Sequence, residues 1–219
     1  MMAMVGLAEI AHPADLQSDV GRQAVAAAVG AMDAYLCDAY VGLLVPTIRG
    51  FQTGSLTAIP TGLHKETLPL GPLLARRYRA RSNWALRMAA RSRMERENML
   101  QVSRVKDMFN PFLPTGQKLW LDLIDSYVSL GRRRLTRWRS HELAAVAGDE
   151  LAKRRKQASS ALVTRVGVIV QRRHDIVHNC DRPKVAVQAL SVGQAKAMIA
   201  DVRDFVVLLD NHLQTHRVA

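Results

Sequence analysis

Arg172-Arg173-His174-Asp175-Ile176-Val177-His178-Asn179 concentrates titratable side chains as no other stretch of the chain does. Histidine changes charge near neutral pH and serves as general acid or base. Arginine stays charged and stabilises an anion that develops during a reaction. With a phosphate between them, these groups suit metal-free cleavage of RNA. The 2′-hydroxyl is an internal nucleophile. It needs a base for its proton, an acid for the leaving 5′-oxygen and positive charge on the phosphorane. The expected products are a 2′,3′-cyclic phosphate and a 5′-hydroxyl. DNA lacks the 2′-hydroxyl and is not cut by this route.

The stretch must be carried by a helix, for which Asp149 is a candidate cap. Leu162, Val166 and Ile169 form its apolar stripe. A further step of four lands on Arg173, then on Ile176 and Val177. Arg173 is therefore expected on or beside the buried face, where a guanidinium needs an anion. Asp33 or Asp38 of the first helix, or a ligand phosphate, would supply it. His174 and His178 are four apart and share a face. Arg173 and His178 are five apart and diverge around the helix. A long side chain, or fraying near Asn179, would bring both to one phosphate. The plain structural alternative makes His178 a satisfied core histidine and Arg173 a buried ion-pair member. It fits either residue alone better than the cluster. His174-Asp175-Ile176-Val177-His178 also mimics the His-Glu-x-x-His pattern of zinc peptidases. Asp is one methylene shorter than Glu, and no downstream residue stands out as a third ligand, although His212 and Asp201 are present. No metal and no cofactor is expected.

The supporting elements read as helices throughout. Pro13, Ala14 and Asp15 mark the start of a first helix reaching about Leu44, with Val25, Val29, Met32, Leu36, Tyr40 and Leu43 on one stripe and Pro46 as its end. Residues 46–72 mix Pro with Gly and hold no period, which predicts a long loop or insertion. Helix is expected again from Leu73 to Arg96, where Tyr78 and Trp84 among the arginines suit bases stacked on rings, although for Trp84 alone the plainer place is the core, and then from Met99 to Phe109. Thr115 is a cap for a helix over Gln117–Leu130, on the stripe Leu119, Leu123, Tyr127 and Leu130, with Gly131 at its end. Ser191 and Gln194 form a capping box for the last helix, whose buried face is Ala195, Met198, Val202, Phe205, Leu209 and Leu213. Only Lys184–Leu190 looks extended. The expected fold is a single all-α domain over residues 1–219, an antiparallel helical bundle with one irregular insertion at 46–72.

The 219 residues are 48% hydrophobic and 23% charged, with 5% aromatic, which suits a globular chain packed by aliphatic helices. A net charge of +12, mostly from arginine, attracts polyanions. The clustered arginines Arg76, Arg77, Arg79, Arg132, Arg133, Arg134, Arg137 and Arg172 are the candidates for RNA phosphate. Cys37 and Cys180 show no metal-ligand spacing, and a reducing, cytoplasmic setting is expected. Ala24–Val45 is apolar enough to suggest a membrane span, but Asp33 and Asp38 interrupt it; a buried helix and no membrane are expected. The first residues lack a basic n-region and carry Glu9, which makes a poor signal peptide.

Arg173-His174-Asp175-Ile176-Val177-His178 resembles the Arg-polar-x-x-x-His motif of the HEPN superfamily of helical bundles. Arg-Arg before it, Asn-Cys-Asp after it and a terminal amphipathic helix fit that resemblance. Ala31-Met32-Asp33-Ala34-Tyr35-Leu36 is similar to the opening helix of the RiboL-PSP-type branch. The likeness covers the first helix and residues 150–213, and not 46–145. Two features depart from the pattern: His174 stands where the family often has Asn, and the insertion is long. The resemblance implies a metal-independent endoribonuclease of toxin or antiviral-defence type, with Arg173 and His178 as the catalytic pair and His174 assisting. It implies a homodimer that places two motifs in one cleft, and a cognate antitoxin or regulatory protein as a further partner. Asp33, Asp38, Asp175 and Asn179 are the candidate supporting residues.

Overall fold

Val25, Val29, Met32, Leu36, Tyr40 and Leu43, the expected stripe of the first helix, are all buried. The computed structural model describes residues 14–75, 81–95, 101–114, 116–178 and 188–216, and its regular elements are all helical. In chain order they are α1 (Ala14–Gln52), α2 (Leu70–Leu74), α3 (Ser82–Met94), α4 (Val102–Phe109), α5 (Leu119–Asp122), α6 (Ile124–Ser129), α7 (Arg133–Thr136), α8 (Ser140–Ala144), α9 (Gly148–His178) and α10 (Val192–His216). Single 3-10 turns lie at Thr61–Leu63 and Asn110–Phe112. By length and composition α1 is apolar enough to cross a membrane, and half of its most apolar window is buried inside the structure.

Contacts divide the chain into two compact units, each assembled from separate stretches. One combines residues 1–33 with 123–209, and the other combines 34–122 with 210–219. Of the three boundaries, two fall inside helices, α1 and α10, and the third falls between α5 and α6.

In the first unit, α1 contributes Ala24, Val25, Ala28, Val29 and Met32 to the core. Leu162, Val166 and Ile169 of α9 and Ala195, Ile199, Val202, Phe205 and Leu209 of α10 are buried with them. A Cβ on Gly21 would stand 3.4 Å from that of Ala195, so small side chains let α1 and α10 approach closely. The Tyr127 hydroxyl donates to the Phe205 carbonyl at 2.8 Å, which satisfies the polar end of a fully buried ring. The capping box of α10 is formed as its sequence predicts: the Ser191 amide donates to Gln194 Oε1 at 2.9 Å, and the Gln194 amide to Ser191 Oγ at 3.2 Å.

In the second unit, Tyr40 meets Phe112 edge to face at 5.7 Å, within a core shared by α1, α3, α4 and α5. Pro46 does not end α1, which continues to Gln52. Proline removes one helical hydrogen bond and its ring crowds the preceding turn, together a cost of about 3 kcal/mol in an unsupported helix. Here Leu43, Leu44, Val45 and Thr47 are all buried, and Thr47 Oγ1 donates to the Leu43 carbonyl at 2.8 Å beside the gap. Packing of the surrounding turn outweighs the loss. The irregular stretch therefore begins at Thr53 and not at residue 46, and it is pinned by buried Leu63.

Other boundaries shift for similar reasons. Helix in the region 73–96 is present as α3, while Leu73 and Leu74 belong to the separate α2. Trp84 is not in the core: it is 47% exposed, because Ala85, Leu86, Ala89, Ala90 and Met94 form the buried face of α3. The helix expected over 117–130 is broken at Leu123 into α5 and α6. Its stripe is buried at Leu119, Leu123 and Tyr127, but Leu130 is exposed. The Leu119 amide is capped from a distance, by Asn110 Oδ1 at 3.0 Å. Gly131 does close this region, with φ of 66°. Thr115 and Lys184–Val187 lie outside the described residues, and Gln188–Leu190 has no regular structure.

Candidate functional site

α9 ends on the motif. Its buried stripe runs Ala158, Leu162, Val166, Ile169, Arg172, Ile176. After Ile169 the stripe takes a step of three and not of four, so Arg172, and not Arg173, occupies the core position. Arg172 is 7% exposed. Its Nη1 donates to Gln188 Oε1, and its Nη2 to the carbonyls of Gln188 at 2.9 Å and Ala189 at 3.4 Å. Arg22 Nη2 donates to the same Gln188 carbonyl at 3.1 Å. Two guanidinium groups thus tie the segment before α10 to α9 and α1. These acceptors engage the buried guanidinium of Arg172 in charge-assisted hydrogen bonds. This arginine was an expected phosphate contact, and the structure places it instead as an internal tie.

Arg173 is half-buried and its charge acts on Asp33. Burial pushes the Asp33 carboxyl above its ordinary range, and the nearby guanidinium opposes that rise. Asp38 is engaged elsewhere, in an exposed pair with Arg91 at 3.0 Å. Asp33 is therefore the acidic residue the structure brings to Arg173.

His174 and His178 are both exposed, with ring centroids 4.6 Å apart and planes tilted by 43°. Exposed Val177 lies beside them, and Gln171 Nε2 donates to Asp175 Oδ1 at 2.9 Å. Asp175 is thereby held along the helix. Asn179 lies outside the described residues. At 100° per residue, the backbone sets Arg173 and His178 about 140° apart around α9. The histidines share the open face, whereas Arg173 sits toward the side buried with α1.

A second constellation was missed in the sequence. Asp201 is fully buried and Asp204 nearly so, both on α10. Asp201 accepts from Arg134 Nε at 2.8 Å and Nη2 at 2.7 Å, and from Arg165 Nε and Nη2, each at 2.9 Å. Arg132 pairs with Asp204 and lies 3.8 Å from Asp201, and Arg203 reaches Asp204 at 3.0 Å. The signal was present: two aspartates stand among Met198, Val202 and Phe205 on a helix with a buried face, and such carboxylates demand cations.

The remaining expected phosphate contacts divide. Arg133 pairs with Glu142, and Arg137 is exposed with its guanidinium 5.7 Å from the Trp138 ring centre. Arg76, Arg77 and Arg79 lie outside the described residues. Among the described residues no three His, Cys, Asp or Glu side chains cluster as metal ligands. Asp201, once a possible third ligand for the histidine pair, is committed to arginines. No protein-family model, no curated protein and no solved structure matches the chain.

Proposed function

We propose that the chain is a metal-independent endoribonuclease with a HEPN-like bundle, in which Arg173 holds the scissile phosphate and the histidines move protons. The observation that carries this reading is the exposed imidazole pair, 4.6 Å between ring centres, on the last turn of α9 beside the half-buried Arg173. One imidazole takes the 2′-hydroxyl proton as the O2′–P bond forms. An imidazolium returns a proton to O5′ as the P–O5′ bond breaks. Arg173 offsets the charge on the phosphorane between these events. His178 is the principal proton carrier and His174 assists or orients. Asp33 positions Arg173.

On this reading the irregular stretch after α1 is an insertion into the family's bundle. The protein acts in the cytoplasm as a toxin or antiviral effector. RNA is its substrate, an antitoxin or regulatory protein restrains it, and two copies share one cleft.

Incubation of purified protein with RNA in EDTA tests the proposal. Wild type yields 2′,3′-cyclic phosphate ends. His178→Ala and Arg173→Ala lose about 10²-fold or more in rate, the usual worth of a positioned proton carrier or anion stabiliser. Cutting at the wild-type rate by both variants sinks the assignment. Loss of activity in EDTA with recovery on adding zinc would turn the histidine pair into a zinc hydrolase site.

One observation favours a second reading. The backbone separates Arg173 from His178 by about 140° around α9. A helical RNA-binding or partner-binding module that does not cleave needs no convergence of the two. RNA retention without cleavage by folded wild type would select it.

A further inference from the structure

Asp201 holds two arginines where a single one would neutralise it. Arg134 meets it chiefly at Oδ1, with Nε also 3.0 Å from Oδ2, and Arg165 at Oδ2, each guanidinium along its Nε–Nη2 edge. That orientation directs both Nη1 groups away from the carboxylate. Counting Asp204, four guanidinium groups (Arg132, Arg134, Arg165 and Arg203) face two carboxylates. The cluster keeps a positive surplus that only solvent or an anion can meet.

Arg134 and Arg165 line an open groove of about 440 Å³ between α7 and α9. Exposed Arg137, Ser160 and Thr164 and half-buried Gln157 complete its polar wall. Hydroxyl and amide donors beside fixed arginines are the groups that grip a phosphate oxygen. The groove also has a direction. Gln157, Ala161, Thr164, Val168, Gln171, Asp175 and His178 follow one another at alternating steps of four and three, a single row along α9. Thr164 and His178 stand about 21 Å apart on it, at 1.5 Å per residue. That is a span of a few nucleotides. The Asp175 carboxylate stands between, so backbone contact belongs at the two ends of the row and not along it.

We propose that Arg134, Arg165 and Arg137, with Thr164 and Ser160, form a phosphate clamp that anchors an RNA strand a few nucleotides from His178. Asp201 is its positioning residue. The proposal deepens the endoribonuclease reading and rests on it only for the identity of the strand. Asp201 fixes Arg134 and Arg165 before ligand arrives, so little of their side-chain freedom is lost on binding.

The test uses the full-length protein and a fluorescent 2′-O-methyl uridine oligonucleotide, which cannot be cleaved, with affinity measured across a salt series. Arg137→Ala and Thr164→Glu alter exposed groups and leave the fold intact. Each weakens binding several-fold, and Arg137→Ala lowers the log–log salt slope by about 0.7, the value for one phosphate contact on a single strand. Lys153→Ala, on α9 outside the groove, changes neither. Asp201→Asn separates positioning from bulk charge. It adds one positive charge, so a merely structural Asp201 would lower the melting temperature and leave the folded protein binding as well as wild type or better. The clamp requires weaker binding. Wild-type affinity in Arg137→Ala and Thr164→Glu, or an equal loss in Lys153→Ala, overturns the proposal. Failure of cleavage with the clamp's binding pattern intact removes the nuclease reading and leaves the clamp.

Discussion

Arg172 and Arg173 are chemically identical neighbours, one buried as an internal tie and the other half-buried and proposed to hold phosphate, and their variants separate the two roles. Arg172→Ala removes the donor to the Ala189 carbonyl, leaves the Gln188 carbonyl to Arg22 and opens a gap in the core. It is expected to cost about 2–4 kcal/mol in urea unfolding, the range for breaking a buried, charge-assisted contact. Arg173→Ala, from a half-buried site, is expected to cost under about 1 kcal/mol while abolishing cleavage. The reverse ranking in stability would mean that the stripe has been misassigned. Asp33 gives a pH signature. Its carboxyl is raised by burial more than Arg173 lowers it. A raised carboxyl favours the folded state when protonated, so its stabilising contribution is present at low pH and is lost as the pH rises through the shifted value. Near pH 7 the ionised Asp33 is a net liability. Asp33→Asn is therefore expected to raise the melting temperature at neutral pH, with the gain vanishing below about pH 4. A gain independent of pH would exclude ionisation as its cause.

Helices were legible wherever a long apolar stripe met a clear cap. α1 and α10 show this: all six stripe residues named for α1 are buried, and the Ser191–Gln194 box forms. Legibility failed where distant contacts override local rules. Pro46 stays helical because its neighbours are buried, and α5 takes its cap from Asn110. The motif helix shows the finest limit. Steps of three and four are both compatible with 3.6 residues per turn, so periodicity could not choose between Arg172 and Arg173. Gly62 shows what composition hides. Among the Pro and Gly of the expected loop nothing marks it out, yet a Cβ there would stand 2.8 Å from Cβ and Cγ of Pro111. The turn at Thr61–Leu63 packs on a rigid ring that cannot swing aside. Gly62→Ala is expected to destabilise the protein by about 1–3 kcal/mol, the usual cost of overpacking. Gly71→Ala, where nothing lies within 4 Å, serves as the control measured in the same urea titration.

At the scale of the whole molecule, the charge of +12 overstates what nucleic acid can use. Clustered arginines look like phosphate contacts in a sequence, because clustering is all that a sequence displays. Much of that charge is engaged by carboxylates of the same unit. Arg22, Arg91, Arg93, Arg132, Arg133, Arg134, Arg154, Arg155, Arg165 and Arg203 each lie in an ion pair with Asp or Glu. A paired arginine releases few counterions on meeting a phosphate, unless it belongs to a cluster with surplus charge, as around Asp201. The salt dependence of RNA binding measures the difference. If the whole excess engaged phosphates, the slope of log K against log salt would approach about −8, at 0.7 per contact on a single strand. Contact restricted to the clamp and the end of α9 involves roughly three to five phosphates and predicts a slope between about −2 and −4. Fluorescence anisotropy with a non-cleavable strand at several salt concentrations gives the number directly. A slope near −8 would mean that these ion pairs open on the polyanion, and that the cationic surface acts as a whole.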